Sequence, residues 1–488
     1  MDEMLKGFNL AMMTDFYELT MSNGFLEHGM ENKITYFDLF YRKVPDGGGY
    51  AIAAGLEQVI QYLKSLHFSP DDIAYLRDQN IFSDRFIAYL ENFEFTCDVW
   101  AMPEGTPIFP GEPLLVVRGP APQAQLIETM LLATINHQSL IATKASRIVR
   151  AADGRVVMEF GARRAHGFGG ALYGSRAAYI AGCPVTSNVL ADRMFGIKAV
   201  GTMAHSWVQM FDSEYEAFKA YAEVYPDNCN LLLDTYDVLN SGLPNAIRVF
   251  DEVLKPKGYR PAGVRIDSGD VTYLTKQVRM RLDHAGYPDC KIVVSNSLDE
   301  YIIREMLMQG AKADSFGVGE RLITSKSEPV FGGVYKLAAV EDENGKIIPK
   351  IKVSENVAKI TTPHFKQVWR FFDKDSGQAI ADVLSLHHEV IDESKPFLLF
   401  HPEYTWKTKT VTNFTAKPLL VPIFKQGQPV YTPPALPEVR KYCKENLDTL
   451  WEEVKRFENP HEYYVDLTHP LWEIKQKMLR RRDGRYSD

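Results

Sequence analysis

Polar residues capable of chemistry recur in this chain at the ends of short apolar runs. The run KAVGTMA leads into HSWVQMF, so that His205 follows Thr202 by three residues. An imidazole at a strand end can act as a general base or as a nucleophile toward a phosphoryl group. A lone histidine more often packs or faces solvent, and what sets His205 apart is the series it belongs to. DTYD and RIDSGD place Asp234, Asp237, Asp267 and Asp270 after two successive runs. Carboxylates so placed suit Mg²⁺ held through its water shell, or hydrogen bonds from ribose hydroxyls. Asp270, ahead of VTYL, equally fits a helix N-cap.

Anion-binding groups follow the same rhythm. Arg163 in EFGARRAHG and Arg265 in GVRIDSGD stand beside strand ends, where a guanidinium can grip carboxylate or phosphate with two parallel hydrogen bonds. Ser295 and Asn296 end the run KIVVSNS. SFGVGERLITS sets Gly317 and Gly319 after another run, with Thr324 and Ser325 beyond, a loop suited to phosphate through its backbone N–H groups, although a plain turn explains GVG equally well. Phe160, at the end of its run, and Tyr17, in MTDFYELT, can each offer a ring face to a flat ligand; core packing is the commoner role of such rings.

These side chains must be held by regular elements. From about residue 154, the β-rich runs RVVMEF, KAVGTMA, NLLLDTY, AGVRIDS, KIVVSNS and ADSFGVG alternate with amphipathic stretches, and TSNVLA is a weaker candidate strand. Val271, Leu274, Val278 and Leu282 share one helical face, as do Leu298, Ile302, Ile303, Met306 and Leu307. Repeated β then α implies parallel strands covered by helices. Because reactive residues follow nearly every run, a closed or incomplete barrel fits better than an open sheet with one switch point. We therefore expect an α/β barrel over 151–337, an N-terminal α+β domain over 1–150 with strands at about 95–120, a β-rich segment at 338–400 that packs with the N-terminal domain, and a C-terminal appendage of exposed helices over 401–488. The Asn-Gly and Ser-Gly pairs in EDENGKIIPKIKV and WRFFDKDSGQAIADVL mark hairpins in the β-rich segment.

The chain has 488 residues, more than one hydrophobic core usually organises. Its net charge of −8 excludes a global basic field, so neither nucleic acid nor an anionic membrane is an expected partner. The opening MDEMLKGFN is acidic, unlike a secretory signal, and no 18-residue apolar run occurs; a cytoplasmic location is expected. Five cysteines without C-x-x-C spacing argue against a disulfide framework or zinc site. From residues alone, the reading is a barrel enzyme for an anionic, phosphate-bearing substrate with Mg²⁺. A phosphosugar isomerase or aldolase stays open, although an aldolase would need a strand-end lysine that the central runs lack.

The motifs MTDFYELTMSNGF, EFGARRAHG, TSNVLA, GTMAHSW, LLDTYD, GVRIDSGD, VVSNSLDE and FGVGERLITS, in this order, closely resemble the nicotinate phosphoribosyltransferase family. The resemblance implies the type II phosphoribosyltransferase fold: an irregular, incomplete α/β barrel and a β-containing domain built from both ends of the chain. It implies transfer of phosphoribosyl from 5-phosphoribosyl 1-diphosphate to nicotinate in NAD biosynthesis, with ATP hydrolysed through a phosphohistidine at His205. By the same resemblance, Tyr17, Thr202 and Arg265 surround nicotinate and Thr324 binds the phosphoribosyl donor. Phe160 and Arg163 match a ring-stacking Phe and neighbouring Arg of the related nicotinamide enzyme. The resemblance also implies a homodimer with shared sites, to which Tyr17 is contributed by the neighbouring subunit. We further expect Asp234 and Asp267 to take part in catalysis, and Asp237, Asp270, Ser295, Gly317 and Gly319 to contact the donor. Mg²⁺ is expected to sit on the diphosphate with Asp234 or Asp267. The alternative within the fold is nicotinamide phosphoribosyltransferase, whose amide-accepting Asp has no counterpart in Thr186, Ser187 and Asn188. The family often has Pro-Gly where this chain has Pro363 and His364.

Overall fold

The computed structural model describes residues 10–356 and 359–482. The acidic opening at residues 1–9 and the charged tail after Arg482 lie outside the described residues. Two compact units form, one from Ile141–Pro329 and the other from the chain on either side of it.

The Ile141–Pro329 unit is organised by a six-stranded sheet in the order Val185–Thr186, Val156–Glu159, Ser315–Val318, Lys291–Ser295, Gly263–Ile266, Asn230–Leu232. Every pairing is parallel. All strands therefore end on the same side, which is why the polar residues that follow them gather along one edge. Val264, Ile266, Ile292, Val294, Phe316 and Val318, two apart on each strand and so on one face of the sheet, have no exposed surface. The helix Val271–His284 buries Val278 and Leu282 in the core below the sheet, with Val271 and Leu274 half-buried beside them.

One run departs from expectation. KAVGTMA forms no strand: Ala199 makes a single bridge to Thr186, and the chain then leaves the ladder. Gly201 has little strand preference, and the Thr202 hydroxyl and Met203 carbonyl accept hydrogen bonds from Arg265 instead of joining a sheet. The weaker candidate TSNVLA divides into the end of a two-residue strand and the helix Val189–Phe195, because the Asn188 side chain caps the N–H groups of Leu190 and Ala191. Among the described residues, no ladder joins Asn230–Leu232 to Val185–Thr186, so the hydrogen-bonded sheet is open.

The other unit interleaves the two ends of the chain. Its seven-stranded antiparallel sheet runs Ile347–Pro349, Val334–Glu341, Ile34–Phe40, Leu115–Pro120, Asp98–Ala101, Val421–Lys425, Gln428–Pro429. Phe37 faces Leu337 across the central pair and stacks on Tyr335 at 4.8 Å. A second sheet pairs Lys366–Asp373 with Ala379–Leu386 through the turn at Ser376-Gly377, and buries an Arg370–Asp382 ion pair at 2.6 Å. His364 adopts φ +80°, the left-handed region that glycine enters without strain. The end of the chain is more embedded than exposed helices would be. Val465–Leu467 joins the second sheet, Val439 and Cys443 are buried on the helix Leu436–Asp448, and Leu471 is fully buried on the helix His469–Arg482. All five cysteines are buried and none is in a disulfide. No helix among the described residues is long and apolar enough to cross a membrane.

Candidate active site

Above the carboxyl ends of the parallel strands lies a cavity of 470 Å³. Its lining includes Phe160, Arg163, Thr202, His205, Arg265, Asp267, Ser295, Gly317 and Gly319, drawn from successive strand ends. Register explains the convergence: Ser295 is level with Gly317, and Leu232 with Arg265.

Phe160 and Gly317 fit together closely. A Cβ at Gly317 would stand 2.5 Å from Phe160 Cδ2 and 2.8 Å from Cε2, so only a glycine lets the ring lie against that strand. Phe160 continues the ladder through its N–H to the Val318 carbonyl. Beneath it the fully buried Glu159 accepts hydrogen bonds from the Ser175 hydroxyl at 2.8 Å, the Thr186 hydroxyl at 2.6 Å and the Gly161 N–H. Burial pushes the Glu159 carboxyl up, and those donors oppose the shift. Glu159 thereby ties the Phe160 turn to the adjoining strand end.

Arg265 rises from the middle of the next wall. One terminal nitrogen donates to Thr202 Oγ1 at 2.9 Å and to the Met203 carbonyl at 3.3 Å; the other lies 4.0 Å from Asp267 Oδ1. Its Nε is buried without a hydrogen-bond partner. Burial holds the guanidinium below its usual pKa, opposed by Asp267 and Asp234, while Arg163 adds to the lowering. A cation in this state gains by acquiring an anionic ligand.

Asp267 accepts from the Ser295 hydroxyl, and Asp234 Oδ2 accepts from the Asp267 N–H at 3.2 Å and the Ser268 hydroxyl at 2.5 Å. Asp234 Oδ1 is buried and unpartnered. No group of three or more His, Cys, Asp or Glu among the described residues forms a metal cage. Two acids, one with a free buried oxygen, instead fit a cation held largely by waters and a ligand's phosphates, the usual mode for Mg²⁺.

His205 opens the helix His205–Gln209, and its Nδ1 lies 3.2 Å from Thr235 Oγ1. That contact orients the ring and leaves Nε2 for a ligand. Opposite, Asn296 and Ser297 take φ +88° and +40°, a strained pair at the cavity wall.

Five expected residues lie outside the cavity lining. Asp237 caps the turn Val238–Gly242 and Asp270 caps Val271–His284. Thr324 donates its hydroxyl to the Glu320 carbonyl at 2.7 Å. Tyr17, 44% exposed, belongs to the other compact unit, on the helix Phe16–Glu27. Asp234 is also absent from the lining and reaches the site through its bonds to the Asp267–Ser268 turn. The lining adds Met203, Ala204, Ser297 and Glu320, which sequence reasoning passed over. Each adjoins a residue it did select, and adjacency along a strand-end loop was the available signal.

Residues 156–347 match the profile described as the nicotinate phosphoribosyltransferase (NAPRTase) family, residues 12–136 its N-terminal domain and residues 365–475 its C-terminal domain. The chain is 42% identical over 474 residues to the nicotinate phosphoribosyltransferase of Bacillus subtilis (strain 168), an alignment covering 97% of this chain and 96% of that one. It is similar to the crystal structure of human nicotinic acid phosphoribosyltransferase, with a TM-score of 0.82 and 30% identity over 96% of this chain and 99% of that one. It is also similar to that of nicotinate-nucleotide pyrophosphorylase from Pyrococcus furiosus, with a TM-score of 0.70 and 28% identity over 92% and 97%. With matching profiles along most of its length and a relative this similar over nearly all of it, the chain belongs to the nicotinate phosphoribosyltransferase family.

Proposed function

We propose that the 470 Å³ cavity transfers a phosphoribosyl group from 5-phosphoribosyl 1-diphosphate to nicotinate, giving nicotinate mononucleotide and diphosphate in NAD biosynthesis. The observation that carries this reading is the meeting of a ring face, a largely buried guanidinium and the Asp267 carboxylate in one cavity, with Asp234 bonded to the turn behind it. Phe160 stacks on the pyridine ring, and Arg265, steadied by Thr202, takes the carboxylate. The pyridine nitrogen attacks the anomeric carbon as its bond to the diphosphate oxygen breaks. Positive charge that develops on the ribosyl ring is stabilised by the nearby carboxylates. Mg²⁺, held on the diphosphate with Asp234 or Asp267, would neutralise the leaving group. Asn296, Ser297 and Gly319 supply backbone N–H groups for phosphate oxygens. In this reading the parallel sheet is the wall of an incomplete barrel, and Ala199–Ala204 covers its open side.

ATP assists through His205. With Nδ1–H donating to Thr235, the Nε2 lone pair attacks the γ-phosphorus. The Nε2–P bond forms, the bond to the β–γ bridging oxygen breaks, and ADP leaves. The phosphohistidine places a dianion at the cavity wall, where it can order the loops that grip the donor. Replacing His205 with Ala is expected to abolish ATP hydrolysis while leaving slow, ATP-independent synthesis. Wild-type enzyme given ATP labelled at the γ-phosphate is expected to acquire an acid-labile, alkali-stable label. Absence of that label, or ATP coupling that survives in the variant, would reduce His205 to a binding role.

Nicotinate is favoured over nicotinamide because Ser187, with no carboxylate, lines the wall. The acids that also line it are engaged, Asp267 by Ser295 and Glu320 by Lys326. The active assembly is a cytoplasmic homodimer in which Tyr17 of each chain completes the neighbour's site, as the family resemblance implies.

A further inference from the structure

The unit formed by the two ends of the chain holds a cavity of 840 Å³, larger than the catalytic one and made of other residues. It draws its lining from four separated stretches: residues 42–49, Phe109 and Pro110, the hairpin region 399–409, and residues 460–466. The stacked pair Phe109 and Tyr463, 3.8 Å between ring centroids, contributes to its wall.

The charge inside is unbalanced. Arg42, Lys43, Lys407 and Lys409 face two carboxylates, Glu462 and Asp466, an excess of two positive charges before any histidine is counted. Among the described residues, Arg42, Lys407 and Lys409 form no ion pair; the two lysines lie against the rings of Tyr404 and Trp451 at 4.9 and 5.5 Å. The Arg42 Nε and the His461 Nε2 are buried without hydrogen-bond partners. Leaving such groups unsatisfied costs stability unless a ligand meets them. His401 Nδ1 accepts the N–H groups of Glu403 and Tyr404 at 3.1 and 3.0 Å, so its proton resides on Nε2 as a donor.

Two further features fit an oxyanion. Gly47, Gly48 and Gly49 bring bare backbone to the lining, and at Gly49 a Cβ would strike the Val454 carbonyl at 2.1 Å. Asp466, which accepts the Phe400 N–H, is 4% exposed, and burial pushes its carboxyl up to about 7. It can therefore keep a proton near neutrality and donate it to a phosphate oxygen rather than repel one.

We propose that this cavity is a second ligand site, which binds a phosphate-bearing small molecule of up to nucleotide size through Arg42, Lys407, Lys409 and the histidines. Its volume lies within the usual range of small-molecule pockets, and the arginine fork with lysine charges is the common equipment for phosphate. The lysines stand on the strand Thr408–Val411, which pairs with Phe397–Phe400, and on the turn before it, so their removal leaves the seven- and four-stranded sheets of this unit intact.

The test is equilibrium dialysis of the full chain against inorganic tripolyphosphate, with ATP and adenosine as parallel arms. Wild type, the double variant Lys407→Ala/Lys409→Ala and the cleft variant Arg265→Ala are compared. Beside the phosphate site of the catalytic cavity, we expect a second site per chain that is weakened about tenfold or more in the lysine variant and kept in Arg265→Ala, because each lost phosphate contact removes a charge-assisted bond. Phosphoribosyl transfer by the lysine variant, with the donor but no other phosphate compound added, is expected to match wild type. Arg42→Gln should weaken the same site, with a thermal melt to show that it folds. Binding of tripolyphosphate but not adenosine identifies the phosphate as the recognised part, and tighter ATP binding adds the nucleoside. Binding unchanged by the lysine variant, lost only in Arg265→Ala, or seen with adenosine as strongly as with the phosphates would overturn the proposal.

Discussion

Gly317→Ala should act by displacing the Phe160 ring, which packs against the bare glycine backbone in the wild type. The added methyl would begin 2.5 and 2.8 Å from two carbons of Phe160 and 3.4 Å from Ser295 Cβ. Non-bonded carbons rest at about 3.5–4.0 Å, so the ring must retreat by roughly 1 Å. Gly317 is buried in mid-sheet and the strand cannot yield without breaking its pairing with both Met158 and Ser295, so the ring moves instead. Overpacking of this kind costs about 1–3 kcal/mol of stability. A stacked aromatic contact is worth about 0.5–1.5 kcal/mol, so losing it should raise the KM for nicotinate roughly 2- to 13-fold. Steady-state kinetics on Gly317→Ala, Phe160→Ala and the double variant form the assay, with a thermal melt on each. If the ring carries the effect, Gly317→Ala adds little in the Phe160→Ala background. An unchanged KM in Gly317→Ala, or an equal further loss in the Phe160→Ala background, would refute the reasoning.

Three other outcomes are expected. Ser187→Asp should depress nicotinate use by charge repulsion and shift the ratio of rates toward nicotinamide, measured with each substrate in turn. Mixing Tyr17→Ala and His205→Ala chains should restore part of the activity that each lacks alone, because one hybrid site receives both intact residues; no recovery after proven subunit exchange would count against a shared site. Glu18 is fully buried, and burial, ahead of the bonds from Thr129 and Thr14 that oppose it, raises its carboxyl from 4.5 to about 7. The folded chain thus binds the extra proton between those values. Its contribution to stability is whole below pH 4.5 and is lost as pH rises through 7. Glu18→Gln, which cannot ionise, should have a Tm that falls less than wild type over that window.

Much of the Ile141–Pro329 unit could be read locally. Periodicity located the helix Val271–His284, and apolar runs followed by polar residues located five of the six strands. The Asn-Gly turn foretold the hairpin between Val334–Glu341 and Ile347–Pro349. KAVGTMA misled because its composition favours a strand while its polar groups are taken by Arg265, a partner sixty residues away that no local pattern reveals. Asp237 and Asp270 illustrate the converse, since cap and ligand-binding roles call for the same residue at the same place.

By itself the sequence determined the alternation of strand and helix, the residue types at the strand ends and the family that their order spells. Those features depend on backbone preference and side-chain chemistry within a few residues. Only the tertiary structure decided that Thr235 orients His205, that Gly317 makes room for Phe160, and that Arg265 is largely buried. It alone assembled residues 42–49, 399–409 and 460–466 into one basic cavity. Desolvation, ring contact and charge excess depend on which distant segments pack together, and that choice is made by burial of the whole core rather than by any neighbour along the chain.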